Sequence, residues 1–153
     1  MLAATFAACR ATLRRMSLRW LVVCLVFLGC KKEFKPLAPK PVETLEGGVQ
    51  VQQLRAGFDD GRVATKGKKI SIHFVGTLLD GGVFDDSHGR GAFNFWVGEG
   101  QVLPGLDEGL LGMKEGELRV ITVPAALAYG NDAKPKIPPR STLVFEVELL
   151  DVR

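Results

Sequence analysis

The sequence has few of the residues that most enzymes use for covalent or metal chemistry. Its three cysteines, Cys9, Cys24 and Cys30, all lie within the first 30 of 153 residues. The rest of the chain therefore has no thiol to form a disulfide, act as a nucleophile or bind zinc. Its only histidines, His73 and His88, have no partners at metal-ligand spacing. We expect neither a metal nor another cofactor.

Acidic residues are absent from the first 29 positions, and this explains the net charge of +3. That segment contains Arg10, Arg14, Arg15 and Arg19. The remaining chain has 16 basic and 17 acidic residues, a net charge of −1. Its one basic cluster, 66–69 (KGKK), is interpreted as a solvated turn. Because non-specific nucleic-acid binding needs many cations facing phosphates, we do not expect nucleic acid as a partner.

The sequence also lacks an apolar run long enough to cross a bilayer, which takes roughly 20 residues. Ten uncharged residues run from Trp20 to Gly29, with arginines before them and lysines after them. This pattern is typical of a signal peptide, here predicted over residues 1–29. Met16 starts a compact n-region, so residues 1–15 are interpreted as an extension from a misassigned start. The alternative is a buried core helix over residues 17–30.

The end of this leader, Gly29-Cys30, resembles the lipobox of bacterial lipoprotein signal peptides. The resemblance implies that Cys30 is acylated and anchors an exported protein to the periplasmic face of a membrane. Lys31 after the cysteine favours the outer membrane over the inner one. Phe27 and Leu28 are bulkier than the motif usually shows, so a soluble periplasmic protein with a plain signal peptide is the alternative.

Two segments follow the predicted leader. Residues 30–47 contain prolines at positions 36, 39 and 41, which favour extended backbone and predict a tether. Residues 48–153 are predicted to form one domain, since about 106 residues suffice for an independent core. Alternation of apolar and polar side chains predicts its strands. They are Val49–Arg55, Lys69–Gly76, Val83–Asp85, Phe93–Gly98, Glu117–Pro124 and Thr142–Val152.

One helix is expected, because leucines and a methionine recur at helical spacing from Leu103 to Met113, with Pro104 in the first turn. Asp107 and Glu108 are predicted on the opposite, solvent-facing side. Several strands with one short helix do not fit a parallel βαβ sheet. The predicted fold class is therefore α+β, an antiparallel sheet of about five strands wrapped around one short helix.

Five motifs carry the functional prediction: IHFVG at 72–76, VFD at 83–85, GxxxVLPGLxEGL at 98–110, AYG at 128–130 and IPPxSTLVFEVELL at 137–150. In this order and spacing they resemble the FKBP-type peptidyl-prolyl cis/trans isomerase family over nearly all of residues 48–153. The resemblance implies a strongly bent sheet, a shallow apolar pocket, proline-containing polypeptides as substrates and a monomer.

The resemblance also assigns site residues. Phe84, Phe93, Leu106 and Phe145 are expected to enclose the proline ring. The Tyr129 hydroxyl and the Leu103 N–H are expected to bind substrate carbonyls, and Asp85 to contact the rotating carbonyl. Phe74, Val102 and Ile137 complete the pocket.

Two of these positions depart from the commonest family pattern. Phe74 replaces a tyrosine whose hydroxyl usually bonds the aspartate matched by Asp85, which then needs another donor. Leu106 replaces a tryptophan, which makes the pocket floor smaller. The alternative function is a non-catalytic module or chaperone that binds proline-containing segments in the same pocket.

Overall fold

Two ten-residue strands with alternating apolar side chains form the centre of the molecule. The computed structural model describes residues 39–153. The predicted signal peptide, Cys30 and the first nine residues of the predicted tether lie outside the described residues. The elements are β1 (Glu43–Thr44), β2 (Gln50–Arg55), β3 (Lys69–Leu78), β4 (Val83–Asp86), β5 (Phe93–Trp96), α1 (Pro104–Leu110), β6 (Leu118–Val123), a 3-10 turn (Ala125–Leu127) and β7 (Leu143–Val152).

β3 and β7 pair antiparallel over their whole length, from Ile70 opposite Val152 to Leu78 opposite Leu143. Ile70, Ile72 and Phe74 are buried on one face of β3, which confirms the predicted alternation. The equivalent alternation in β7 buries its own apolar side chains against the same core. Burying a large apolar side chain stabilises the fold by roughly 1.5–3 kcal/mol, so these two strands contribute substantially to its stability.

The sheet has the order β1-β2-β6-β7-β3-β4, and β5 also pairs with β3. All pairings are antiparallel. β5 pairs with residues 69–72 of β3 and β4 with residues 75–77, so the two short strands share one edge of β3. The α+β prediction is confirmed, with seven strands within residues 39–153 where about five were expected.

The helix α1 packs against β6 because its glycines allow a close approach. A Cβ atom at Gly105 would lie 2.5 Å from Cγ1 of Val123, and one at Gly109 would lie 2.4 Å from Cγ2 of Ile121. Such distances are not tolerated between carbon atoms, so both positions require glycine. Leu110 is fully buried beside them. The seven-residue helix begins at Pro104, where a missing N–H costs nothing.

The prediction that Asp107 faces solvent is wrong. Its side chain is buried, and its carboxylate accepts hydrogen bonds from Gly98 N at 2.6 Å and Gly100 N at 3.2 Å. The loop between β5 and α1 folds over this side of the helix, and its N–H groups need acceptors. Asp107 therefore ties that loop to α1.

The predicted tether is also partly wrong at its carboxyl end. Glu43 and Thr44 form β1, which pairs with Val51 and Gln50, and Lys40 N donates to Gln53 O at 2.9 Å. The proline content of this segment does not prevent pairing, because an edge strand needs only some of its N–H groups. The folded domain thus includes residues before the predicted boundary at position 48.

Candidate functional site

Four phenylalanines from four strands converge on the inner face of the sheet. Phe74 lies 6.1 Å from Phe93 and 6.2 Å from Phe145 between ring centroids, and Phe84 lies 5.7 Å from Phe145. All three pairs meet edge to face, an orientation favoured by the ring quadrupoles. β3, β4, β5 and β7 therefore contribute one ring each to a continuous aromatic wall.

The other predicted pocket residues belong to the same apolar cluster. Leu106 on α1 and Ile137 before β7 are buried, and Val102, Leu103 and Tyr129 are half-buried against the core. Of the nine apolar or aromatic residues assigned from the motifs, all but Phe93 therefore lie in the core cluster or pack against it, and Phe93 is an exposed ring joined to the cluster through Phe74.

The Phe84 ring lies directly on the backbone of β3. A Cβ atom at Gly76 would be 2.6 Å from Cζ of Phe84, so only glycine leaves room for the ring there. Gly76 is also paired with Asp85 and Phe145 on the two neighbouring strands. The glycine at the end of the IHFVG motif therefore positions Phe84 and the strand that carries Asp85.

Phe74 and Phe145 are buried and Phe84 is partly buried, but Phe93 is 42% exposed, compared with 4% for Phe145. Beside Phe93, a depression of about 270 Å³ is lined by Phe74, Asp85, Ser87 and residues 90–93. An apolar surface that continues from the core into an open depression is suited to holding a small ring, such as that of proline.

Arg90 supplies the donor that Asp85 was expected to need. Its guanidinium donates to Oδ1 of Asp85 and also to the carbonyl oxygen of Asp86 at 3.1 Å. Oδ1 of Asp85 accepts a further bond from Asp86 N at 2.9 Å. The sequence prediction missed Arg90, because an arginine in a polar loop has no periodic signal.

Ser87 anchors the segment that follows Asp85. This residue is buried, and its Oγ accepts from Phe74 N at 2.8 Å while its N–H donates to Phe74 O at 3.0 Å. The hydroxyl also contacts Nδ1 of His73 at 3.1 Å. Ser87 thereby fastens the β4–β5 segment to β3 at Phe74, and it too was missed.

The outer side of this segment has a histidine pair. The rings of His73 and His88 stack with centroids 4.8 Å apart and an interplanar angle of 14°. His88 donates its backbone N–H to Oδ1 of Asp86 at 2.8 Å, and its Nδ1 lies 2.7 Å from the same oxygen. These bonds hold the pKa of the exposed Asp86 carboxyl below its ordinary value.

Two donors at the rim have no protein partner within residues 39–153. Neither the Leu103 N–H nor the Tyr129 hydroxyl takes part in a hydrogen bond there, whereas the Leu103 carbonyl accepts from Asp107 N at 2.9 Å. The Nζ atom of Lys134 lies 5.5 Å from the centre of the Tyr129 ring. Within the described residues, both donors therefore lack an acceptor.

In the part of the chain that the structure describes, no three His, Cys, Asp or Glu side chains are grouped so that they could hold a metal ion. No helix among residues 39–153 has both the length and the hydropathy needed to cross a membrane.

The sequence of residues 60–150 matches the family model described as FKBP-type peptidyl-prolyl cis-trans isomerase. The chain belongs to this family. The match spans every strand from β3 to β6, α1 and most of β7, so it includes all ten site residues assigned from the motifs.

Curated relatives agree with this assignment. The chain is 46% identical to the FK506-binding protein of Neisseria meningitidis serogroup B over 108 residues, which are 69% of this chain and 97% of that protein. It is 40% identical to FK506-binding protein 4 of Neurospora crassa over 74% of this chain. The match spans only 24% of that fungal protein, so it extends to one part of a longer chain.

Solved structures of FKBP proteins have the same fold. The crystal structure of FkpA from Escherichia coli superposes with a TM-score of 0.67 at 40% identity, over 74% of this chain and 52% of FkpA. The crystal structure of AtFKBP13 gives a TM-score of 0.66 at 32% identity, over 72% of this chain and 98% of that one. Both likenesses confirm the predicted FKBP fold.

Proposed function

We propose that this protein accelerates cis/trans isomerisation of X-Pro bonds in exported polypeptides, using the aromatic wall and the Asp85–Arg90 pair as its active site. The observation that supports this most directly is the open side of the wall. An exposed Phe93 ring stands beside a depression that also contains Asp85. An apolar surface and one directed charge are therefore available to the same substrate.

The reaction needs no nucleophile or metal. An X-Pro bond favours trans by only about 0.5–1 kcal/mol, but rotation breaks amide resonance against a barrier of roughly 18–20 kcal/mol. The twisted amide has less charge separation than the planar one. An apolar pocket therefore disfavours the planar ground state more than the transition state, a desolvation mechanism in which about 1.4 kcal/mol gives a tenfold rate increase.

Each site residue has a defined role in this mechanism. Phe84, Phe93, Leu106 and Phe145 enclose the proline ring and exclude water from it. The Leu103 N–H and the Tyr129 hydroxyl, which lack partners within residues 39–153, bind substrate carbonyls on either side of the bond.

Asp85 contacts the rotating carbonyl, and Arg90 fixes its orientation. The side-chain hydrogen bond to the Asp85 carboxylate comes from Arg90, in the loop between β4 and β5. In a site with tyrosine at position 74 it would come from a hydroxyl on β3. We expect the site to tolerate changes at position 74 better than a tyrosine-containing site would.

The cellular part of the proposal rests on the leader. A ten-residue apolar stretch ending at Gly29-Cys30 supports export and acylation of Cys30, with the domain on the periplasmic face of the outer membrane. Mass spectrometry of protein extracted from membranes should find a lipid adduct on an N-terminal Cys30. A mature N-terminus elsewhere would leave a soluble periplasmic protein and would not affect the isomerase proposal.

A protease-coupled isomerisation assay on X-Pro peptides tests the activity. We expect catalysed isomerisation that is lost in the double variant Phe93→Ala/Asp85→Ala and retained in Leu79→Ala, a control at an exposed position outside the wall. Binding of proline-containing peptides without any rate increase would instead identify the protein as a non-catalytic binding module.

A further inference from the structure

An exposed tryptophan stands beside two lysines at one end of the sheet. Trp96 is 47% exposed and pairs directly with Lys69 across β5 and β3, which places both side chains on the same face. Lys68 lies opposite the buried Val97, whose N–H donates to Lys68 O at 3.0 Å, so its side chain belongs to the other face. The Lys66 side chain packs over Gly98, whose added Cβ would lie 2.6 Å from its Cγ. Trp96, Lys66 and Lys69 are called the Trp96–lysine patch.

The patch has a net positive charge that no ion pair within residues 39–153 neutralises. Among the ion pairs of that part of the chain, none involves Lys66 or Lys69. The nearby carboxylate of Asp151 is already paired with two arginines. Glu99, exposed in the turn after β5, is the one acidic residue next to the patch in sequence.

The strand register places the patch at the end of the sheet where the chain enters the domain. Lys40 bonds to Gln53 near the end of β2, and Arg55 is paired with Leu118 at the start of β6. The start of β6 pairs with the last half of β7. The end of β7 pairs with the start of β3, and the start of β3 pairs with Trp96 on β5.

Only nine peptide steps separate Pro39 from Cys30. Even fully extended, nine residues span about 30 Å. If Cys30 is acylated as proposed above, Pro39 is therefore held within about 30 Å of the bilayer, and the patch lies at the same end of the sheet but near its other edge.

We propose that the Trp96–lysine patch binds the surface of an anionic phospholipid bilayer and orients the domain upon it. Tryptophan prefers the boundary between apolar chains and water, and lysines are attracted to anionic headgroups while their stems cover apolar surface. An acidic polypeptide would satisfy the lysines but gives no reason for an exposed indole. The inference rests on the proposed acylation of Cys30 only because that anchor would keep the domain close to a bilayer.

Such an orientation leaves the active site free. Asp85 pairs with Gly76 on β3, seven residues beyond Lys69, and seven residues of strand span roughly 23 Å. Phe93 is only three residues from Trp96 on β5, but an odd number of residues along a strand places the two side chains on opposite faces of the sheet. A domain docked through the patch presents its pocket to proteins moving past the membrane.

Tryptophan fluorescence tests the proposal, because the sequence has only two tryptophans, Trp20 and Trp96. The full chain, expressed with Trp20→Phe and purified from membranes, is reconstituted into vesicles of brominated phosphatidylglycerol or brominated phosphatidylcholine. We expect strong quenching of Trp96 by the anionic lipid at low salt, little quenching by the neutral lipid, and recovery at high salt, where charges are screened.

Matched variants identify the residues responsible. Lys66→Gln and Lys69→Gln should each lower the ratio of docked to undocked protein about fivefold, whereas Lys134→Gln removes the same charge near Tyr129 and should leave quenching unchanged. Isomerase activity on a soluble peptide should be normal in the two patch variants, which shows that they are folded.

The outcomes separate the patch from the anchor. Flotation with neutral vesicles reports acylation alone, and quenching in anionic vesicles reports the patch alone. Protein that floats but shows no anionic quenching would overturn the proposal while leaving the anchor intact. Quenching without flotation on neutral vesicles would support the patch and remove the anchor. A response of Trp96 to polyglutamate but not to phosphatidylglycerol would assign the patch to acidic polypeptides and also overturn the proposal.

Discussion

The contact between α1 and β6 and the aromatic pocket both depend on glycine, but they differ in what surrounds it. At α1, Gly105 and Gly109 leave space that the Val123 and Ile121 side chains fill completely. At the pocket, Gly76 leaves space that the Phe84 ring fills from the neighbouring strand, and the adjoining Phe93 stays 42% exposed. The first arrangement produces a closed core, and the second leaves an apolar surface with room for a substrate.

The difference shows where stability and function reside in a small domain. Protein interiors are close-packed, so a filled interface resists any change of volume. An apolar side chain left at a surface contributes less to folding but can exclude water from a bound ring. Substitutions at the closed contact should therefore affect folding, and substitutions at the open wall should affect catalysis.

The largest effect is expected at the closed contact. Gly109→Val places methyl groups where Ile121 already lies, and such overpacking should lower the free energy of unfolding by about 3 kcal/mol. Chemical denaturation would measure the change. Gly89→Val is the control, since an added Cβ at Gly89 meets no atom within 4 Å and should change stability by less than about 0.5 kcal/mol. Equal effects of the two variants would contradict the comparison.

At the open wall, Phe93→Ala should lower kcat/KM by one to two orders of magnitude, or about 1.4–2.7 kcal/mol, with little loss of stability. Phe145→Ala removes a ring that is only 4% exposed and should lower both activity and stability, the latter by about 3–5 kcal/mol. Denaturation and steady-state kinetics on both variants would measure this. If Phe93→Ala lowered the free energy of unfolding but left kcat/KM of the folded protein unchanged, Phe93 would be a core residue and not a site residue.

Arg90 offers a sharper test of how the polar side of the pocket is held. Arg90→Ala removes the side-chain donor to Asp85 and should lower kcat/KM about fivefold to tenfold, a modest loss because the pair is exposed. Adding Phe74→Tyr should restore part of the activity by supplying a hydroxyl from β3. The control is Phe74→Tyr alone, which should change activity little. No rescue, with the fold intact, would mean that Asp85 needs the arginine's charge and not merely a donor.

The elements that could be predicted from the sequence are those with a regular pattern of apolar and polar residues. The alternation of Ile70, Ile72 and Phe74 determines which face of β3 is buried, because successive side chains on a strand point to opposite faces. The pocket positions followed from the resemblance of the motifs to the FKBP family, and their roles are still predictions. Their convergence across four strands depends on register, which the sequence alone did not indicate.

Other features gave no usable signal. β1 is a pair of polar residues, Glu43 and Thr44, whose pairing depends on the free edge of β2. Asp107 has the position of a solvent-facing helical residue, but the preceding loop folds onto it and supplies two N–H donors. Arg90 and Ser87 are polar loop residues, and their partners are set by tertiary structure.

Tyr129→Phe should have a smaller effect than either change above. It deletes one hydrogen bond to a substrate carbonyl, worth about 0.5–1.5 kcal/mol, and leaves the ring under Lys134 in place. We expect kcat/KM to fall by about two- to tenfold, with the free energy of unfolding unchanged, since the hydroxyl has no partner among residues 39–153. A larger loss would show that the hydroxyl does more than position substrate.

The smallest effect is expected from pH and from His73. The pKa of Asp86 is lowered by its bonds to His88, so this carboxyl stabilises the fold above its ordinary pKa near 4 and loses that contribution as pH falls further. Asp86 therefore contributes no change in stability between about pH 6 and 8.

His73 is the residue that would reveal acid–base chemistry in this range, because imidazole side chains change charge near neutral pH. The proposed mechanism transfers no proton, and His73 contacts Ser87 on the face of β3 opposite Phe74. We expect kcat/KM to be flat over this range on a peptide without ionisable groups, and His73→Gln to be as active as the parent chain. Steep pH dependence in the parent that disappears in His73→Gln, with both proteins folded, would show that the pocket uses acid–base chemistry and that desolvation at the aromatic wall is not the whole mechanism.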